Sequence, residues 1–518
     1  MDVIYSNRTA AALGADLAIL TPIGVDGGPF RKRMAPDWRV SLSMVVGSLL
    51  FVALLNTSGF PLLADPDTHW HIAIGEWILA HGTVPIVDSH SHTFLGRPWI
   101  AKEWLSQILL ALAFNMGGWG AVASLCAASI GLTFALLLRI LLRDIGPLPA
   151  TLFTVAAIAM TAAHFFARPH VLAFPFMVIW VAGLVRAVEE RRAPDHRQLL
   201  GMLLWANLHG GFTLGLLLCG AFALEAVATA RDANERRSLF FAWLKFGAAA
   251  FGVACITPYG PESMLVTFRI FDLGDALSLI QEWKSPDFQN QPMMELVLLL
   301  ALCAGFSRGL KLPIVRLIVV IGLLHLFLKH ARNAELLALL TPLAIAPILA
   351  KQWPSIQPVG LPGSQTLPQR IATLSHPAGL YAMALNLSLA AVFAGGIIKF
   401  GGIRPSPDTT PTAALEFAHH AGLKGAVFND YGFGGALIHA GIPTFIDGRA
   451  ELFGGQFMKD YAAAVSLRGK SFEAALDRYK IDWTFLATNQ AANSLLEHLP
   501  DWQRVYRDDT ATIFVRRH

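Results

Sequence analysis

Apolar runs of roughly 17–25 residues, the length at which a helix crosses a bilayer, recur along most of this chain. A soluble core does not call for that length again and again, so the chain reads as mostly α, a polytopic transmembrane helix bundle. Composition agrees: of 518 residues, 54% are hydrophobic and 15% charged, against about 25% charged in soluble domains. The runs are continuous rather than alternating, which argues against a β-barrel. The net charge of +4 sits mostly in loop clusters, a topological pattern rather than a nucleic-acid surface. Cys126, Cys219, Cys255 and Cys303 all fall in apolar runs and read as small core residues.

Residues 1–38 read as a flexible cytoplasmic tail, with Arg31, Lys32, Arg33 and Arg39 holding the N-terminus inside. About eleven spans are expected, at 40–60, 121–142, 148–165, 170–188, 198–209, 211–230, 238–256, 292–306, 312–328, 334–350 and 378–399. The run Trp104–Met116 is short and is followed by Gly117-Gly118. The basic ends at Arg139 and Arg143, and at Arg186, Arg191, Arg192 and Arg197, both fall inside only if that run does not cross. It therefore reads as a helix lying in the outer interface. Pro354–Pro368 reads as a cytoplasmic loop. The organisation expected is a transmembrane domain over 39–403, with its first outer loop at 61–119, and an α/β periplasmic domain over 404–518. In that last part the pattern predicts a helix at Thr412–Ala421 and strands at Gly425–Asn429, Pro443–Asp447, Trp483–Ala487, Arg504–Arg507 and Thr512–Arg516.

The first outer loop carries Asp65, Asp67, His69, His71, Asp88, His90, His92 and Glu103. A connection between spans has no structural need for so many acids and imidazoles. Asp65 and Asp67 suit a general base or a divalent metal (magnesium, manganese or zinc); Asp67 equally suits an N-cap of the run His69–Leu79. His69, one helical turn after Asp65, is the histidine best placed to join a metal there. Glu103 suits either catalysis or the first turn of the next helix. The same topology brings five further polar interruptions to the outer face. These are Ala167-Arg168-Pro169-His170, Asn207-Leu208-His209-Gly210-Gly211, Thr257-Pro258-Tyr259-Gly260, Gln281-Glu282-Trp283 and His330-Ala331-Arg332-Asn333. Polar groups at membrane depth usually mark function. Arg168 and Arg332 suit a phosphate or a headgroup-level snorkel. His170, Asn207, His209, Tyr259, Glu282 and His330 are candidate substrate contacts beside them. Asp430 and Tyr431 suit an acceptor pocket, or a turn that needs Gly432; Asp447-Gly448-Arg449 reads as a turn.

A first span, an acidic outer loop, an interfacial helix, many spans and an outer α/β domain together resemble the GT-C superfamily of membrane glycosyltransferases. Asp65 and Asp67 stand where that superfamily carries its first-loop acid. The run Trp99–Arg143 is similar to the segment that follows the acid in the protein O-mannosyltransferase and aminoarabinose-transferase branches. Asp430, Tyr431 and Gly432 match the end of the oligosaccharyltransferase motif Trp-Trp-Asp-Tyr-Gly, with Phe428 and Asn429 in place of the tryptophans. The replacement argues against N-glycosylation. The resemblance implies a sugar donor carried on a polyprenyl phosphate, attack with inversion, and Arg332 or Arg168 holding the phosphate. The acceptor would be a lipid, a polysaccharide or a protein. Two other classes compete: a transporter or flippase, which would place polar residues near the midplane in repeated halves, and a non-catalytic envelope scaffold.

Overall fold

The computed structural model describes residues 37–56, 62–357, 374–400, 402–407 and 409–517. Residues 1–36 of the expected tail, the end of the first expected span and most of the expected Pro354–Pro368 loop lie outside them. Helices occupy each apolar segment read from the sequence. The elements that matter for the site are α1 (Leu42–Leu55), α2 (Asp67–His81), α3 (Trp104–Leu141), α4 (Pro147–Thr161) and α5 (Pro169–Glu189). Among the described residues, five helices are long and apolar enough to cross a membrane: Trp104–Leu141, Pro147–His164, Pro169–Glu189, Ala331–Gln352 and Leu380–Phe400. The apolar helices Leu42–Leu55, Gln198–Leu208, Phe212–Ala228 and Pro292–Ser307 are shorter.

Within α3 the backbone leaves helical geometry at Gly117 (φ −164°) and Gly118 (φ 59°, ψ −151°). Gly118 takes a conformation that residues with a Cβ avoid, so the run before it and the run after it are free to take different directions. Small residues set the packing on the other side of α3. A Cβ at Gly47 would come within 2.8 Å of the Gly131 carbonyl, and one at Gly131 within 2.7 Å of the Gly47 carbonyl. This mutual approach seats α1 on α3, a close crossing that only small residues allow.

The C-terminal part is a four-stranded sheet of β1 (Val427–Asn429), β2 (Trp483–Ala487), β3 (Trp502–Arg507) and β4 (Ala511–Arg516), in the order β1-β2-β4-β3. β1 and β2 are parallel and the other pairs antiparallel, with a bulge at Arg504/Tyr506. Alternation along the strands buries both faces. Phe428, Leu486 and Phe514 face one helical layer with Phe445, Phe453 and Tyr461, while Val427, Phe485 and Ile513 face the other with Phe433 and Leu437.

One expected strand is absent from the sheet. Pro443–Asp447 forms only an isolated parallel bridge, Ser91 with Thr444. Its backbone is taken by the segment between α2 and α3: Thr444 N–H donates to His90 O and His92 N–H to Thr444 O, each at 3.0 Å. Apolar alternation marked the segment as extended, but the partner strand is a loop more than 350 positions away, which no local pattern reveals.

Candidate active site

Asp65 and Asp67 flank Pro66, which stands at the N-cap of α2. The capping expected of Asp67 falls to Asp65, whose Oδ1 accepts the Asp67 N–H at 2.8 Å. A proline just ahead of the first turn shapes the entry to a helix, so the preceding carboxylate folds back on the turn and the Asp67 carboxylate is left to face outward. It faces Arg168. Thr68 Oγ1 donates to Ala167 O at 3.0 Å and Ala167 N–H to Leu62 O at 2.8 Å. These bonds bind the start of α5 to the acidic turn.

The Arg168 guanidinium gathers three carboxylates. Nε lies 2.9 Å from Asp65 Oδ1, Nη1 donates to Glu282 Oε2 at 2.6 Å, and Nη2 pairs with Asp67. Glu282 bridges onward, accepting from Arg332 Nη1 at 2.9 Å. The Arg332 guanidinium lies over the Trp283 ring, 4.7 Å from its centroid. His330 Nδ1–H donates to Trp283 O at 2.6 Å and Ala331 N–H to Lys284 O at 2.8 Å, so the two short turns are clipped together. Three of the five polar interruptions thus converge on the acidic pair.

Burial pushes the Asp65 carboxyl up to about 7, with the charges of Asp67 and Glu282 adding to it against Arg168. Asp67 is raised by the same burial and by Glu282. Burial also acts on Glu282, but Arg168 and Arg332 outweigh it and hold this carboxyl down to about 2. The group therefore separates into one fixed anion and a raised pair, a division typical of sites that move protons.

Beside the cluster is a cavity of about 20 Å³ lined by His164, Phe166, Arg168, His170, Glu282, Arg332 and Glu335. Among the described residues Glu335 Oε2 and His164 Nδ1 are buried there without a partner, and that volume suits about one water molecule. Neither residue stood out in the sequence. Glu335 read as the start of an apolar helix and His164 as the end of one.

Glu103 lies in a second group. His71 Nε2 is 3.9 Å and His209 Nε2 3.5 Å from its carboxylate. Gln107 Nε2 approaches His71 Nδ1 at 3.3 Å, and the Gly211 N–H donates to His209 Nδ1 at 3.2 Å. Both imidazoles therefore turn an Nε2–H toward Glu103. His170 joins the two groups, its ring 6.2 Å from that of His209 and its Nε2–H on His164 O at 3.3 Å.

Other candidates are engaged elsewhere. Asn207 accepts from Trp104 Nε1 at 2.9 Å and donates to Leu203 O and Ile256 O. The Tyr259 hydroxyl donates to Pro85 O at 2.8 Å and accepts from Ala101 N–H at 3.0 Å. Both hold the connection between α2 and α3 in place. Asp430 accepts from Gly432 N–H at 2.9 Å and Gln490 Nε2 at 2.8 Å, which makes it a turn former, while the phenol of Tyr431 lies within the field of Asp67, Glu282 and Arg168.

His69 does not join Asp65 and Asp67. Its Nε2 meets Thr410 Oγ1 at 2.8 Å and its Nδ1 meets His439 Nδ1 at 3.4 Å. The helix begins only at Asp67, and two residues along a helix turn the side chain through about 200°. Among the described residues no group of three or more His, Cys, Asp or Glu is arranged to hold a metal. At the acidic pair the cation facing the carboxylates is the Arg168 guanidinium, so the arrangement fits arginine there.

No family model matches the sequence. No curated protein matches it. Solved structures do match. ArnT from Cupriavidus metallidurans in the apo state aligns with a TM-score of 0.50 and 13% identity, over 91% of this chain and 97% of that one. ArnT bound to undecaprenyl phosphate aligns at 0.49 with the same identity and coverage. The archaeal oligosaccharyltransferase AglB from Archaeoglobus fulgidus, in complex with an inhibitory peptide and a dolichol-phosphate, aligns at 0.48 and 12% identity, over 86% of this chain and 69% of that one. The end-to-end alignment with apo ArnT shows that this chain shares the overall fold of that protein.

Proposed function

We propose that the protein is a membrane glycosyltransferase that moves a sugar from a polyprenyl-phosphate donor to an acceptor hydroxyl at the outer face of the inner membrane. The observation that carries this reading is the Asp65–Asp67–Arg168–Glu282–Arg332 cluster. It sets a raised carboxylate pair beside a partly exposed arginine, as transfer from a phosphate requires.

Asp67 is the base. Its side chain is the more open of the pair, 17% exposed against 7% for Asp65, and Asp65 is occupied with the α2 turn and the Arg168 Nε. The acceptor O–H gives its proton to Asp67, and its oxygen bonds to the sugar C1. The C1–O bond to the phosphate breaks on the opposite side, so C1 inverts. The electron pair leaves with the polyprenyl phosphate, whose charge Arg332 meets. The cavity is far smaller than a phosphate, so the donor has to draw Arg332 away from Glu282.

Charged groups cluster at the two ends of α5 and its middle is apolar, the reverse of a midplane transport site. The test is transfer by the full chain in lipid nanodiscs from labelled polyprenyl-phosphate sugars to extracted envelope acceptors. Product formation that Asp67→Asn removes supports the reading. A wild-type chain that binds no polyprenyl phosphate and forms no product overturns it.

A further inference from the structure

We infer that the segment Gly434–Arg449 of the C-terminal part is a wall of the reaction site, with Gly435, Gly448 and Arg449 as positioning residues that fix Asp67; this rests on the reading of Asp67 as the base.

Two glycines of this segment press directly on the acidic turn. A Cβ at Gly435 would overlap the Pro66 carbonyl, and a Cβ at Gly448 would overlap the Asp67 carboxylate and lie 2.9 Å from Trp70 Nε1. Neither position holds a positive φ among those the backbone adopts, so the demand for glycine is for space rather than for conformation. Asp67 is thereby held between Arg168 on one side and peptide backbone on the other. No water layer separates the carboxylate from that backbone.

The pressure is maintained by a buried clamp. Arg449 and Asp447 are fully buried and Asp88 is 1% exposed. Arg449 Nε and Nη2 both donate to Asp447 at 2.8 Å, and Nη1 donates to Asp88 at 2.5 Å. Asp88 belongs to the first outer loop, so this one guanidinium ties that loop to the wall. The remaining acceptor sites are taken: Ser91 Oγ donates to Asp88 at 2.6 Å and Thr444 Oγ1 to Asp447 at 3.0 Å. The Arg449 guanidinium also lies over the Trp99 ring, 5.0 Å from its centroid. A planar fork that bridges two carboxylates and stacks on an indole is a task lysine does not reproduce.

The wall is tested by Gly448→Ala in the full chain, studied by cryo-electron microscopy in nanodiscs and by transfer kinetics. The expected result is an Asp67 carboxylate moved off Arg168 and a kcat lower by about 100-fold or more, with the donor KM within about threefold of wild type. An Asp67–Arg168 pair left in place, with kcat within about threefold, overturns the inference. Should that variant fail to fold, Arg449→Lys carries the test. A kcat lower by about tenfold with a displaced acid limb of the pH profile supports positioning, whereas a lowered Tm with an unmoved kcat and pH profile overturns it. A wild-type chain that transfers no sugar contradicts the transferase reading alone, because the place of Asp67 in the Gly448→Ala map still decides the wall.

Discussion

Helix α5 carries an arginine–carboxylate cluster at each end, and the two are built differently. At its C-terminal end Arg316 is 1% exposed. It donates to Glu225 at 2.8 Å, to Glu189 at 2.6 Å and to the Ala344 carbonyl at 2.8 Å, while Lys351 donates to Glu189 at 2.5 Å. Two cations meet two anions, and the guanidinium's remaining edge has a carbonyl. At the N-terminal end Arg168 and Arg332 meet three carboxylates, with a small cavity alongside in which Glu335 Oε2 has no partner among the described residues. The first cluster balances its charges around a buried guanidinium that joins helices, with the Lys351 ammonium exposed and a cavity of about 800 Å³ lined in part by Glu189. The second has one carboxylate in excess, and its two arginines are both partly exposed, 15% and 31%; on the proposed reading it receives a proton and an anion.

That contrast is breakable by substitution. The largest effect belongs to Asp67→Asn, which keeps the shape of the side chain and removes the proposed base. Transfer should fall by about 10²–10⁴-fold, while polyprenyl-phosphate binding persists. Retained transfer would make the N-terminal cluster as structural as the other. At the C-terminal end, Arg316→Met strands the buried Glu225, Glu189 keeping Lys351, and should cost about 3–5 kcal/mol of stability, read as a lower Tm and lower yield. The folded fraction should keep its kcat, since the site lies about 30 Å away along α5.

Arg332→Ala should weaken polyprenyl-phosphate binding by about 10–100-fold, the loss of hydrogen bonds to a charged partner. The same substitution made at Lys351 should leave that binding unchanged. The smallest effect is in pH. A base works deprotonated, and burial and the Glu282 charge raise the Asp67 carboxyl, so transfer should decline as pH falls, with its acid limb above the ordinary carboxylate range. Glu282 raises both members of the pair. Glu282→Gln removes that charge, lowers their pKa values and should move the acid limb to lower pH; a limb that stays in place would separate Glu282 from the pair.

Much of this was legible because membrane helices announce themselves by length and polar interruptions by contrast. Arg168, Glu282 and Arg332 stood out as charges inside apolar text, and the structure gathers them on the acids of the first loop. What stayed hidden depends on contacts between distant segments. Asp447-Gly448-Arg449 has the local look of a turn, and its tie to Asp88 exists only once the C-terminal part docks on the loop. Glu335 hid at the start of an apolar helix. His69 misled because a helical spacing was counted from Asp65, although the helix starts at Asp67 and turns His69 toward Thr410. Asn207 and Tyr259 looked like ligand contacts for the reason that made Arg332 look like one; hydrogen-bond donors and acceptors at membrane depth serve loops as well as substrates.

The most direct measurement is a cryo-electron microscopy map of the wild-type chain in nanodiscs with polyprenyl phosphate bound. The phosphate should lie against Arg332, with Glu282 withdrawn from that guanidinium and Asp67 still beside Arg168 and facing the space next to the phosphate. A phosphate seated away from Arg332, with the Arg332–Glu282 pair at its 2.9 Å, would overturn this cluster as the donor site.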